Sequence, residues 1–474
     1  MLLGNQYAKA SHAMGADLSY KSLGGNKYEI TLKFYRDCAG VAAPSSASIN
    51  ISSVSCNVST SMNIMKVAAE SGIEVSPLCP GQLANSSCNN GSLPGVQIYT
   101  YRGIYTFPKQ CNDWVISWTH CCRNAAITSL QNPSSQSMYI EATLNNTNGL
   151  SNNSPVFTEL PVPFICVNQL FNYNHGVIEA DGDSLYFSMI NPMTAGALPI
   201  AHNVGGGYSL QNPILSSTPF SFSPVTGQFT FTASGLQVCV VTIKVDEYRN
   251  GVLIGSTMRD IQVVIINCTN AIPFTSNIQN FQGGGVLVDS MTIMVCPGEL
   301  IDFEIVGQDS NPMDTVFMTT TFNTIFSGAT FSSTGTNPIT GHFTWTPGIN
   351  DTGYHFFTVN IKNNACPIIG SQSYSFSILV TKKITVSPDV DYCISGGPQK
   401  LTAIGGSYFS WTPTTGILSA ASDSSWIKVA PVSSTTYYVT SNCNTTDSIR
   451  VTVVPGFNHS ISANDTICKF EQSQ

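Results

Sequence analysis

The sequence predicts an all-β chain of tandem β-sandwich domains, and three observations carry that prediction. First, one passage occurs twice. It reads Glu179-Ala-Asp-Gly-Asp183-Ser-Leu-Tyr-Phe, Pro224-Val-Thr-Gly-Gln-Phe229-Thr-Phe-Thr, Gly235-Leu-Gln-Val-Cys-Val-Val-Thr-Ile-Lys244 and Leu253-Ile-Gly-Ser256. Its second copy reads Asp309-Ser-Asn-Pro-Met-Asp314-Thr-Val-Phe, Pro338-Ile-Thr-Gly-His-Phe343-Thr-Trp-Thr, Gly353-Tyr-His-Phe-Phe-Thr-Val-Asn-Ile-Lys362 and Ile368-Ile-Gly-Ser371, in the same order. Second, Tyr28-Glu-Ile-Thr-Leu-Lys-Phe-Tyr35 and Phe229-Thr-Phe-Thr alternate with the period of two that marks a half-buried strand. Third, Gly, Pro and Asn clusters interrupt the chain at short intervals, as in sandwiches, and no stretch reads as a long helix. Met62 to Gly72 has room for one short helical turn. Arg249-Asn250-Gly251 between two apolar runs predicts a hairpin, because Asn-Gly supplies the positive φ angles of a type I′ turn.

At 474 residues the chain has room for three or four domains of about 100–200 residues each. Charged residues make up 10%, well below the usual value of about 25%. Hydrophobic residues at 42% suffice for packed cores. The net charge of -8 is spread thinly and no basic cluster stands out, which argues against a nucleic-acid partner. The longest apolar run, around Val263-Val-Ile-Ile266, is strand-sized and far short of the roughly 18 residues of a transmembrane helix. The 15 cysteines point to an oxidising compartment, with reduced core thiols as the competing reading. No CxxC pair exists, and the adjacent Cys121 and Cys122 suit separate bridges better than a zinc site.

Six segments follow. Residues 1–10, ending in Ala8-Lys-Ala10, read as the tail of a secretory signal. Residues 11–155 form a Cys-rich N-terminal β domain holding Cys38, Cys56, Cys79, Cys88, Cys111, Cys121 and Cys122, with the pairing left open. The first repeat runs over 156–268 and the second over 269–382, both read as Ig-like or cadherin-like sandwiches. Each opens on a cysteine-bearing strand, at Cys166 or Cys296, and carries its acidic motif 17 or 18 residues later, at Asp183 or Asp314. Residues 383–455 form a PKD-like or Ig-like module, in which Cys393 and Cys443 bracket Trp411 as an immunoglobulin-type disulfide would. Residues 456–474, with Asp465-Thr-Ile-Cys468, read as the opening of a further domain whose remainder lies beyond Gln474.

Four constellations invite a chemical reading. Glu179, Asp181 and Asp183 alternate around Gly182, and hard oxygen ligands so spaced can converge on Ca²⁺. The competing reading is a tight turn whose carboxylates cap backbone amides. Calcium is the only cofactor the sequence raises. Asp309 and Asp314 of the second copy lack the glycine core and predict a weaker site. Trp114-Val-Ile-Ser-Trp118-Thr-His120-Cys-Cys-Arg123 places cysteine beside histidine, but its alternation makes it a strand, where neighbours face opposite ways. Packed tryptophans and disulfides fit better than a Cys-His nucleophile, and an exposed aromatic platform for sugars is the remaining reading. Asp246, Glu247 and Arg249, with Arg259 and Asp260 on the return strand, read as a solvated salt-bridge ladder rather than the facing carboxylates of a glycosidase. His175 reads as a hydrogen-bonding loop residue. Cys239 takes the place of Phe357 in the second copy, which suits a buried apolar side chain.

Longer motifs resemble one family. They are Ala13-Met-Gly-Ala-Asp-Leu-Ser-Tyr20, Phe34-Tyr-Arg-Asp-Cys38, Cys121-Cys-Arg-Asn124, Asn153-Ser-Pro-Val-Phe157 and Leu160-Pro-Val-Pro-Phe-Ile-Cys166. Tyr173-Asn-His-Gly176, Asp181-Gly-Asp-Ser-Leu185, Glu247-Tyr-Arg-Asn-Gly251 and Arg259-Asp-Ile-Gln262 complete the set. Together they resemble the N-terminal half of large secreted surface proteins of Bacteroidota, the gliding-motility-associated, adhesin-like group, whose PKD-like or Ig-like repeats the module at Cys393 to Cys443 also resembles. The resemblance implies export by the type IX secretion machinery. No sorting domain of that route occurs in the sequence, and no ligand-binding residue carries over. The expectation is a non-catalytic, extracellular adhesin or structural stalk at the bacterial surface. Its partner would be a surface polysaccharide or another extracellular ligand, and a glycan-binding protein serving polysaccharide use is the alternative.

Overall fold

A computed structural model describes residues 13–454 except 162–163, 269, 383, 407 and 444. The expected signal tail and the segment 456–474, with Cys468, lie outside the described residues.

Strands dominate, and the longest described α-helix is a single turn, Phe322–Ile325. The helical turn expected between Met62 and Gly72 is a 3₁₀ turn at Ala68–Glu70, after the strand Val58–Lys66. Asn250 and Gly251 both take positive φ, 52° and 78°, and join the strands Gln237–Arg249 and Val252–Ile266.

The N-terminal region closes into a ring of eight antiparallel strands, but it supplies only seven of them. In spatial order these are Ala13–Ser22, Lys27–Asp37, Val96–Thr106, Val58–Lys66, Ser46–Ser53, Trp114–His120 and Met138–Leu144. The eighth is Val252–Ile266 of the first repeat. It pairs with Met138–Leu144 through residues 255–257 and with Ala13–Ser22 through residues 259–261. Met258 of that strand lies in the N-terminal core with Trp114, Ile116 and Ile140, while Ile261, Val263 and Ile265 belong to the first repeat's core. The sheet therefore runs across the expected boundary at residue 155. The glycine of Ile-Gly-Ser stands at a close contact in both copies. A Cβ on Gly255 would lie 2.5 Å from the Tyr20 hydroxyl and 3.1 Å from the Thr143 carbonyl, and one on Gly370 would lie 2.9 Å from Pro273. Both glycines permit close approach.

The three following units are two-sheet sandwiches with separate cores. Each pairs an early strand in parallel with its last one: Phe164–Cys166 with Val252–Ile266, Thr292–Val295 with Ser371–Val380, and Val390–Cys393 with Thr446–Val454. A cysteine stands at the end of each early strand or directly after it: Cys166, Cys296 and Cys393.

Six disulfides join described residues: Cys38–Cys88, Cys56–Cys111, Cys79–Cys366, Cys121–Cys122, Cys166–Cys268 and Cys296–Cys443. Two expectations are overturned. Cys443 bonds Cys296 of the second repeat, not Cys393, which is itself disulfide-bonded. The register explains this. Cys393 lies opposite Val454, whereas Cys443 sits in the turn before Thr446, at the other end of the same strand. Eight residues of strand separate those ends by roughly 26 Å. Cys121 and Cys122 bond each other rather than separate partners, because Cys79 leaves the N-terminal set for Cys366 and the other four pair among themselves. Cys239 is a buried free thiol, with burial pushing its pKa up to about 12.

Non-reducing peptide mapping of the folded chain is expected to recover linked peptides containing Cys79 with Cys366 and Cys296 with Cys443. A Cys393–Cys443 peptide in their place would contradict this register.

Candidate functional site

The acidic loop of the first repeat is a built structure. The Glu179 carboxylate accepts the backbone N–H groups of Asp181 and Asp183, both at 2.6 Å, and Gly182 between them has φ +82°. This is the turn-capping arrangement, with Glu179 as the cap. Asp181 accepts from the backbone and side-chain nitrogens of Asn153 at 2.7 and 2.6 Å. Arg249, just before the hairpin turn, clamps Asp183 through Nε at 2.8 Å and Nη2 at 2.6 Å, and reaches Asp181 at 3.4 Å. It also donates to the Ser151 carbonyl and to Asn152 Oδ1.

Beneath this loop lies Glu247, which the sequence suggested would be solvated. It is fully buried. Its Oε2 accepts from Asn152 Nδ2 at 2.5 Å, and the same amide reaches the Tyr20 hydroxyl at 3.2 Å. Burial, then the neighbouring carboxylates, push its pKa up to about 9. One oxygen each from Glu179, Asp183 and Glu247 lie within 4.8 Å of one another. The signal for Glu247 was present as parity, since Ile243, Val245 and Glu247 share the inward face of one strand.

The second copy has no such group among the described residues. Asp309 is spent on a local turn with the Asn311 amide at 2.9 Å and on Asn363 Nδ2 at 2.7 Å, and Asp314 does not join it in an acidic cluster.

The expected solvated ladder is largely a buried seam. Arg259 and Asp260 are almost wholly inaccessible and pair with N-terminal residues, Arg259 with Asp17 at 3.1 Å and Asp260 with Arg123 at 2.9 and 2.7 Å. Trp114 and Trp118 are buried, so they form no exposed sugar platform. His120 stacks on Trp118 at 5.3 Å.

His175 also departs from expectation. Its ring is buried among Tyr173, Phe229 and Phe157, with centroids 4.9, 5.0 and 5.9 Å away, and neither ring nitrogen has a hydrogen-bond partner. Burial holds its pKa well below the usual histidine range, and the nearby Arg259 guanidinium adds to this.

Two clefts open where the units meet. One, of 430 Å³, lies where the N-terminal region meets both repeats, and Glu159 and Lys362 are among its lining residues. Asn360 donates to Glu159 at 2.5 Å there, and burial raises the Glu159 pKa. The other, of 520 Å³, lies between the repeats and is lined by Asn172, Thr226, Gln228 and Thr230 together with Phe356 and Tyr374.

No protein-family model matches the chain, and no curated protein matches it. Solved structures similar to parts of it include protocadherin gamma B2 extracellular cadherin domains 3–6, at 14% identity over 64% of this chain and 73% of that one, with a TM-score of 0.17. The mouse nectin-like molecule 4 ectodomain, Ig1–Ig3, matches at 12% identity over 63% and 99%, with a TM-score of 0.21. An endo-fucoidan hydrolase of glycoside hydrolase family 107 matches at 12% identity over 65% and 45%, with a TM-score of 0.15. The sandwich assignment rests on this chain's own sheets and registers.

His175 yields a pH prediction. The unfolded chain protonates it below about pH 6.5 while the fold keeps it neutral, so its stabilising contribution is present above that pH and lost as pH falls. His175→Phe is expected to lose less melting temperature than the parent between pH 7 and pH 5. Equal losses would mean that this ring does not set the acid sensitivity.

Proposed function

We propose that the chain is a non-catalytic, extracellular adhesin or stalk that works as a covalently braced array of β-sandwiches. The observation that carries this reading is that two disulfides cross between folded units. Cys79–Cys366 joins the N-terminal ring to the second repeat, and Cys296–Cys443 joins the second repeat to the last module. Such bonds persist in oxidising surroundings, which supports an extracellular setting. They matter most where units are pulled apart or exposed to solvent. Attachment to a bacterial surface through type IX export remains part of this proposal, supported by the sequence motifs alone. Many weak contacts from neighbouring copies on one surface would add through effective concentration.

A second reading, glycan binding, is favoured by the cleft between the repeats. Hydroxyl and amide side chains beside two aromatic rings suit a polyol that offers both hydroxyls and C–H faces.

Single-molecule stretching tests the first reading. The Cys79–Cys366 bond spans 287 residues. Adding reductant should therefore release hidden length on the order of 1,000 Å. Full extension without reductant would sink the braced-array idea, and turnover of any substrate by the purified chain would replace it with an enzyme. For the second reading, Tyr374→Ala is expected to abolish glycan-array binding while leaving the fold's circular dichroism unchanged. If the parent binds no glycan, this reading fails.

A further inference from the structure

We propose that Glu247, with Glu179 and Asp183, forms a calcium site beneath the hairpin of the first repeat. The acidic loop by itself would not carry this, because its turn and the Arg249 clamp account for its carboxylates. The independent observation is Glu247, which arrives from a different strand. It is fully buried, and while Oε2 is held by Asn152, Oε1 has no hydrogen-bond partner. A buried carboxylate oxygen left without a partner is strongly disfavoured unless a cation or a proton meets it. Glu247 lies within 4.8 Å of oxygens from both loop carboxylates.

Arg249 does not fill this position. Its side-chain hydrogen bonds go to Asp183, Asp181, Asn152 and the Ser151 carbonyl, and none goes to Glu247 or Glu179. The guanidinium thus serves Asp181 and Asp183, and not Glu179 or Glu247. The donors are all oxygen, which excludes the usual zinc chemistry, and their irregular disposition across a loop and a strand suits Ca²⁺ better than the strict octahedron of Mg²⁺.

The second copy serves as an internal comparison. Aligning Lys244 with Lys362 puts Ala365 at the position of Glu247. The buried carboxylate is therefore missing, and Asp309 and Asp314 do not assemble into an acidic group. The cation in the first copy would sit one step from the N-terminal ring, since Asn152 links Glu247 to Tyr20. Its binding would therefore couple the loop to the seam between ring and repeat.

The test uses the full chain, stripped with a chelator and titrated with CaCl₂, read by calorimetry and by melting temperature. The parent is expected to bind one Ca²⁺ and to melt at a higher temperature when calcium is present. Glu247→Gln, which keeps an acceptor for Asn152 but carries no charge, is expected to lose both signals, while Asp314→Asn keeps both. Should Glu247→Gln fail to reach the parent's circular dichroism, Glu179→Gln on the more exposed loop is expected to show the same loss. No calcium signal in the parent would overturn the proposal and leave a proton as the group that meets Oε1. Retention of both signals in a folded Glu247→Gln, or in a folded Glu179→Gln, would overturn it as well.

Discussion

Two buried ion pairs on a single strand hold the N-terminal ring to the first repeat. Asp17 meets Arg259, and Arg123 meets Asp260, with Thr242 adding a hydroxyl to Asp260 at 2.8 Å and Tyr35 a hydroxyl near Arg259 at 3.3 Å. Charges taken out of water gain little net stability even when paired, but removing one partner strands the other, at a cost of about 3–5 kcal/mol. The pairs thus act mainly as a register lock. Asp17 lies directly opposite Arg259, and Ala16 opposite Asp260. A slip of one residue would turn those charges into the wrong core. Ring closure, the placement of Met258 in the N-terminal core and the close approach at Gly255 all follow from this register.

The disulfides use one structural position in different ways. Cys166 ends the early parallel strand of its repeat, and Cys296 directly follows the corresponding strand of the next. Cys166 bonds Cys268, just past the last strand of its own unit, and so closes that sandwich. Cys296 reaches Cys443 in the next unit, with the Thr381 hydroxyl 3.0 Å from the Cys443 sulfur. A change of partner, with no change of fold, turns an internal bond into a joint.

Much of the local structure was legible in the sequence, because strands and turns depend on near neighbours. The Asn250-Gly251 hairpin, the inward face of Trp114, Ile116 and Trp118, and the doubled repeat are patterns of period two and of turn chemistry. What failed depends on distant partners. Arg259 and Asp260 read as part of a solvated ladder, because an ordinary antiparallel strand near a hairpin shows one face to water. The strand Val252–Ile266 is instead buried on both faces through most of its length, and polar residues on the second face require partners that only the N-terminal region supplies. The bonds of Cys79 and Cys443 were hidden for the same reason, since spacing along the chain carries no information about which units touch. Glu247 is the intermediate case. Its parity with Ile243 and Val245 pointed inward, but its charge suggested solvent.

The shared strand also sets an order of events. The strand Ala13–Ser22 needs the strand Val252–Ile266, and the Asp17–Arg259 contact spans 242 residues. Closing so long a loop is slow, because its entropy is lost before any contact compensates. During synthesis the strand Ala13–Ser22 would therefore present an open sheet edge until residues 252–266 appear, and open edges invite pairing with other chains. The strand Ala13–Ser22 is thus completed only by a strand made 242 residues later, counted from Asp17 to Arg259, so the N-terminal ring depends for its safe assembly on whatever keeps it apart from its neighbours until residues 252–266 arrive.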